Sequence, residues 1–224
     1  MTRPRITLFD LDHTLLPIDS DYSWGEFTQQ IGWTDPVVFK RRNDAFYQHY
    51  LAGTLDVHDY VRFAVEPLRA HGPAAYEEAH ARFMREWISP AMLPAAFDLV
   101  RGHHERGDTV AIVTATNELV TRPIATAFGV PELIAVELER DASGWITGEI
   151  AGVPSMREGK VVRVGQWLAQ RGLDWLDVET TFYSDSLNDV PLLERVDHPV
   201  ATNPDPRLRT LALERGWRIL DLFQ

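Results

Sequence analysis

Two aspartates, Asp10 and Asp12, close a short β-rich run, Ile6-Thr7-Leu8-Phe9. At the end of a strand, followed by a tight turn, carboxylates spaced i, i+2 can both face one mouth once the strand stops. A second pair, Asp185 and Asp189, follows another β-rich run over 180–183. Carboxylates gathered in one place repel each other and stay ionised at neutral pH only with a cation among them. A donor set made wholly of oxygen favours Mg²⁺. Thr114, at the end of the run 109–113, adds a hydroxyl, and Lys160 adds an ammonium. Lys160 stands out because the chain has only one other lysine, Lys40, among its 22 Lys and Arg residues. A compact ammonium serves a phosphate as a point charge. Together these residue types suit the capture of an anionic substrate beside a metal held by carboxylates.

Such residues need a frame that gathers strand ends. From residue 95 onward strand and helix patterns alternate: helix 95–106, strand 109–113, helix 117–128 and a strand-like run 133–138. A hairpin follows around Asp141-Ala142-Ser143-Gly144, then helix 158–170, strand 180–183, a helix through 189–195, strand 199–201 and helix 206–215. This alternation implies a mostly parallel sheet covered on both faces, which binds ligands at the carboxyl ends of its strands. Between Asp19 and Ile88 the periodicity is helical instead. Its four stripes are Trp24/Phe27/Ile31, Val38/Ala45/Phe46/Tyr50, Val57/Tyr60/Val61/Val65 and Tyr76/His80/Phe83/Met84/Trp87. They break at Gly32–Pro36, Gly53-Thr54 and His71-Gly72-Pro73. Four helices with no strand between them read as an all-helical insert. The expected division is a core of 1–15 plus 90–224 and a helical cap of 16–89.

Composition narrows the partners. The 224 residues are 45% apolar and 25% charged, which is globular and long enough to bury a core without disulfides or structural metal. A net charge of −11 gives no general attraction to nucleic acid or anionic lipid. The absence of cysteine excludes a thiolate zinc site and a cysteine nucleophile. With no leader pattern and no apolar run of membrane length, the expectation is a soluble cytoplasmic protein with neither nucleic-acid nor membrane partner. Oligomeric state is left open.

Four short segments carry a family resemblance. Phe9-Asp10-Leu11-Asp12-His13-Thr14 resembles the first motif of the haloacid dehalogenase superfamily. Ile112-Val113-Thr114-Ala115-Thr116 resembles the second, Glu158-Gly159-Lys160 the third, and Ser184-Asp185-Ser186-Leu187-Asn188-Asp189 the fourth. The helical insert directly after the first motif resembles the subfamily that includes phosphoserine phosphatase. The resemblance implies a Rossmann-like three-layer α/β/α core with a helix-bundle cap. It also implies a Mg²⁺-dependent phosphomonoesterase acting on a small phosphoester through an aspartyl-phosphate. In that scheme Asp10 is the nucleophile and a metal ligand, and Asp12 is the general acid and base. The main-chain carbonyl of Asp12 and the carboxylate of Asp185 bind the metal, with Asp189 anchoring it through water. Thr114, the amide of Ala115, Lys160 and Asn188 hold the phosphoryl oxygens. Ser184 departs from the glycine often found before the metal-binding Asp, without altering a ligand.

Blander readings stand beside these. Thr114 and Asp185 are also fitted to cap helices, and Asp19 and Asp21 to cap the first insert helix. The resemblance places at Asp19 an acid that recognises a substrate amine. Arg41-Arg42 reads as a solvated helix face, with reach into the active site as the alternative. His103-His104 reads as a solvated helix face in preference to zinc ligands, and Trp24, Trp33 and Trp87 as cap core. Gly159-Lys160 does not open a Walker A loop, because Pro154 occupies the first glycine position and Val161 the Ser/Thr position. Asp12 argues against dehalogenation, since halide leaves without a proton. A phosphotransferase on the same core and a non-catalytic phosphate- or metal-binding module are the alternatives. Phosphoserine is the default substrate by resemblance, and histidinol phosphate the next.

Overall fold

The protein is described from a computed structural model covering residues 3–52 and 54–223, without the side chains of Tyr50 and Leu51. Two expectations, the side chain of Tyr50 in the second stripe and Gly53 at the following break, lie outside what is described.

The strands are β1 (Arg5–Phe9), β2 (Thr109–Asn117), β3 (Glu132–Val136), β4 (Leu138–Arg140), β5 (Ile146–Ile150), β6 (Glu179–Ser184), β7 (His198–Thr202) and β8 (Arg218–Leu220). Six of them form one parallel sheet in the order β3-β2-β1-β6-β7-β8, and β4-β5 is a separate antiparallel hairpin. The chain builds outward from β1 in one direction and from β6 in the other. The order therefore reverses between β1 and β6, which is where sheets of this kind open a crevice.

The helices are α1 (Ser20–Gln30), α2 (Pro36–Ala52), α3 (Val57–Phe83), α4 (Ser89–Ala91), α5 (Pro94–Glu105), α6 (Glu118–Ala127), α7 (Glu158–Ala169), α8 (Val190–Leu193) and α9 (Pro206–Arg215). Alternate residues of the strands face opposite layers. Ile6, Leu8, Ala111, Val113 and Phe182 meet α7, α8 and α9 through Val164, Leu168, Leu192 and Leu208. Phe9, Val110, Ile112 and Tyr183 belong to the other layer, with Val100 of α5 and Val120 of α6. The result is an α/β/α core with inserted helices α1 to α3. Trp24 and Phe27 of α1 and Phe83 of α3 join that second layer, so the inserted helices share one apolar cluster with the sheet.

Several expectations change in detail. The third and fourth stripes run as one element, α3, bent where Gly72 adopts φ 76° and ψ 178° between Pro67 and Pro73. A π-helical turn, Met84–Ile88, follows it. β2 continues past Thr114 to Asn117, because it rejoins β3 at Asn117–Val136 after a register shift beyond Val113. The three-residue β8 had no periodicity long enough to announce it. His103 is not on a solvated face. α5 turns it onto the sheet, where Nδ1 lies 2.7 Å from Asp108 Oδ2 and 2.9 Å from Thr7 Oγ1, and Nε2 lies 2.9 Å from Tyr183 Oη. Burial lowers its pKa against the pull of Asp108, while His104 remains exposed.

Candidate active site

The register of β1 and β6 sets Phe9 beside Tyr183, and Asp10 N–H donates to the Tyr183 carbonyl at 2.9 Å. Asp10 and Ser184-Asp185 thus leave adjacent strand ends together. Thr14, fully buried in the turn after β1, joins them. Its hydroxyl lies 3.3 Å from both Asp10 Oδ2 and Asp185 Oδ1, and accepts the Asp185 N–H at 3.1 Å. The turn itself is held by the Leu11 carbonyl, which accepts from the N–H groups of Thr14, Leu15 and Leu16. His13 sits in it at φ 56°. The side-chain amide of Asn203 donates to the His13 carbonyl at 2.9 Å, tying this turn to the end of β7.

Lys160 reaches the site from the first turn of α7. Only 2% exposed, it donates to Asp10 Oδ1 at 2.8 Å and Asp189 Oδ2 at 2.7 Å. A glycine precedes it of necessity. A Cβ on Gly159 would stand 2.0 Å from the Pro154 carbonyl oxygen, so no side chain fits while the loop folds tightly enough to aim Lys160 inward. Asp189 is also fully buried and accepts the Ser184 hydroxyl at 2.7 Å. The shift in β2 leaves Thr114, Ala115 and Thr116 out of regular register at the cavity floor. The Ser155 hydroxyl pins this stretch by donating to the Thr114 carbonyl.

Asp12 is held from two sides, by Ser20 N–H to Oδ1 at 2.8 Å and by the Thr116 hydroxyl to Oδ2 at 3.0 Å. Burial, and then the charge of Asp19, push its carboxyl well above the ordinary carboxylate range. Burial pushes Asp10 up to about 6 despite the opposing pull of Lys160. Burial followed by the charges of Asp10 and Asp189 pushes Asp185 up to about 9. Burial alone would weaken the Lys160 ammonium, but Asp10 and Asp189 hold its pKa raised. Among the described residues, no three carboxylate or imidazole side chains stand as a ready-made metal cage. Lys160 bridges two of these carboxylates and Thr14 bridges two.

A cavity of about 180 Å³ opens above these groups. Asp10, Asp12, Thr114, Ala115, Lys160, Asp185, Asn188 and Asp189 all line it, as does Asp19. Thr114 and Asp185 are not helix caps. Asn117 caps α6 by accepting from Leu119 N–H and Val120 N–H, and Ser186 caps the 3₁₀ turn Leu187–Asp189. Asp19 does cap α1, accepting the Tyr22 N–H at 2.9 Å, while standing at the cavity edge. Arg41 and Arg42 are not among the lining residues. Arg42 pairs with Glu66 at 2.9 Å and lies over the Phe63 ring, directed along α3. Residue patterns did not single out Thr14, Thr116, Ser155 or Asn203. Thr14 and Thr116 lie within the quoted motifs, whereas nothing local marks Ser155 or Asn203.

Comparison with known proteins adds a lineage. The model for haloacid dehalogenase-like hydrolases matches residues 7–194. A histidinol-phosphatase from Neisseria meningitidis serogroup C (strain 8013) is 39% identical over 217 residues, covering 96% of this chain and 98% of that one. A crystal structure of a protein of unknown function from Bordetella pertussis Tohama I is 52% identical, with a TM-score of 0.94 over 99% of this chain and 100% of that one. A substrate-bound phosphoserine phosphatase shares the fold at a TM-score of 0.66 and 17% identity, over 98% of this chain and 94% of that one.

Proposed function

We propose a function from one premise: this chain belongs to the haloacid dehalogenase-like hydrolase family and is a phosphatase. Its substrate is an amino-alcohol phosphate, with L-histidinol phosphate the best fit, and its nucleophile is Asp10. The observation that most supports the chemistry is Lys160, buried between Asp10 and Asp189 on the floor of a cavity that Asp12 and Thr114 also line.

An Asp10 carboxylate oxygen attacks phosphorus while the ester oxygen departs and takes a proton from Asp12. Burial, and then the neighbouring Asp19, raise the pKa of Asp12 and so favour its protonated form. That is the form an acid needs. Once ionised, Asp12 takes a proton from water, whose oxygen attacks phosphorus, frees phosphate and restores Asp10. Thr114, the Ala115 N–H, Lys160 and Asn188 hold the transferring oxygens.

The residues fit a resident Mg²⁺. Asp10 and Asp189 share the Lys160 ammonium and Asp185 stands near them, and the pKa values of Asp10 and Asp185 are raised first by burial and then by neighbouring carboxylates. Two carboxylates joined through Thr14, with the Asp12 carbonyl and water, suit an ion that keeps part of its hydration shell. When bound, it would neutralise the phosphoryl charge as Asp10 approaches.

The cap side supports the choice of leaving group. It presents Asp19, Asp21, Asn43, Phe46, Tyr47 and Tyr60 and, among the described residues, no Lys or Arg. The cavity's Arg157 and Lys160 come from the start of α7 and not from the inserted helices. Phosphoserine would carry its carboxylate toward this acidic wall, where like charges repel. An amino alcohol brings an ammonium and no carboxylate, and Asp19, which lines the cavity, would receive that ammonium. The name of the Neisseria relative agrees with this choice. The test is kcat/KM for L-histidinol phosphate and L-phosphoserine with Mg²⁺ and with EDTA. Histidinol phosphate should lead by at least about tenfold, equivalent to about 1.4 kcal/mol, and EDTA should stop both. Equal or better use of phosphoserine would overturn the substrate assignment.

A further inference from the structure

We propose that Asp21, oriented by Tyr60, binds a ring nitrogen of the leaving alcohol, making this corner of the cavity an imidazole subsite. The proposal rests on the histidinol-phosphate reading above. Asp19 already caps α1, so Asp21, two residues on, is not required for that purpose. Instead its Oδ2 accepts the hydroxyl of Tyr60 from α3, and both residues line the cavity. Phe46 from α2 stands edge-on to the Tyr60 ring, with centroids 5.5 Å apart and planes at 74°. Three inserted helices therefore meet at a carboxylate set beside aromatic rings that line the cavity.

That pairing suits a flat ring with an N–H at its edge. An ionised carboxylate has about four acceptor sites, and the Tyr60 hydroxyl occupies one of them. Tyr60 is neutral, so it directs the carboxylate without compensating its charge. Burial, then the charge of Asp19, push Asp21 up to about 7 against the Tyr60 hydrogen bond. An arriving N–H or cation would favour its ionised form. Imidazole offers at least one N–H in both of its protonation states, and its faces can pack against Phe46 and Tyr60. A simple tie between α1 and α3 would need only a neutral acceptor at position 21.

Asp21→Asn keeps the size and one acceptor oxygen while removing the charge. The test compares kcat/KM on L-histidinol phosphate with that on O-phosphoethanolamine, which keeps the ammonium spacing but lacks the ring. In Asp21→Asn this ratio should fall roughly 10- to 100-fold, mainly through KM for the ring-bearing substrate. Tyr60 is a positioning residue, and Tyr60→Phe removes only its hydroxyl. The ratio should then fall roughly 2- to 10-fold, again in KM, which tests the subsite even if Asp21→Asn folds poorly. An unchanged ratio in folded Asp21→Asn, or in Tyr60→Phe where Asp21→Asn does not fold, or equal losses on both substrates, overturns the subsite and leaves the substrate assignment standing. A wild-type preference for phosphoserine over histidinol phosphate overturns both.

Discussion

Asp12 and Asp21 lie nine residues apart, and burial raises the pKa of both, with different consequences for each. Asp12, held by Ser20 and Thr116, lines the cavity, and its raised pKa suits an acid for a leaving group that needs a proton. An acid matters most for a poor leaving group, so Asp12→Asn should cut single-turnover phosphoenzyme formation about 10²–10⁴-fold on an alkyl phosphate. The loss on p-nitrophenyl phosphate, whose phenolate leaves unaided, should be much smaller. Equal losses would remove Asp12 from the acid role. Asp21 allows a test by stability. Its folded pKa of about 7 lies above the ordinary carboxylate value of 3.8, so the folded state binds the proton more tightly than the unfolded chain. Stability is lost as pH rises between those values, and the cost is complete above the upper one. Asp21→Asn escapes this cost. Its Tm relative to wild type should therefore be several degrees more favourable at pH 8 than at pH 4.5, as read by calorimetry. A carboxylate kept at such a position despite its cost to stability is in keeping with a binding role.

Among the elements, the irregular stretches place the chemistry as much as the regular ones do. The register shift in β2 sets Thr114 to Thr116 at the floor, and the tight loop before α7 aims Lys160. Gly159→Ala puts a methyl carbon into the Pro154 carbonyl, so the loop must open. The expected cost is about 1–3 kcal/mol, read as a lower Tm, together with a larger loss of phosphate release than the Tm alone explains. The four motifs were legible in the sequence because they set particular residue types at strand ends and at the start of α7. Phe9 to Thr14 and Ser184 to Asp189 needed only a strand and a turn to place them. Ser155 and Asn203 were not legible, since their partners, the Thr114 and His13 carbonyls, lie 41 and 190 residues away in the chain. Asp21 read as a helix cap for the same reason, because its partner Tyr60 lies 39 residues on. His103 was misread because helix position alone does not tell which face packs on a sheet.

At the scale of the whole molecule, the reversal of strand order between β1 and β6 brings Asp10 and Asp185 side by side, and the inserted helices close over them. Those helices are fastened to the core. Tyr76 Oη donates to the Leu119 carbonyl at 2.6 Å, His80 Nε2 lies 3.0 Å from the Val120 carbonyl, and Arg62 pairs with Glu149 at 2.8 Å. Among the described residues, no helix is long and apolar enough to cross a membrane. Because the carboxylate cluster is part of this architecture, Mg²⁺ should stabilise the entire fold. At about 100 times Kd the gain is about 2.7 kcal/mol, or about 5–10 °C in Tm for a chain of this size. The gain should shrink at pH 5, where Asp10, raised to about 6, holds a proton that competes with the metal. It should also be largely absent in Asp185→Asn. The most direct test of the central assignment is where the phosphoryl group goes. Asp12→Asn should form the phosphoenzyme slowly, but it also lacks the base that hydrolyses it. After prolonged incubation with Mg²⁺ and L-histidinol phosphate and an acid quench, it should therefore yield by mass spectrometry a single phosphorylated peptide, with the modification on Asp10. Phosphate on any other residue, or released from histidinol phosphate with no labelled Asp10 at any time point, would contradict it.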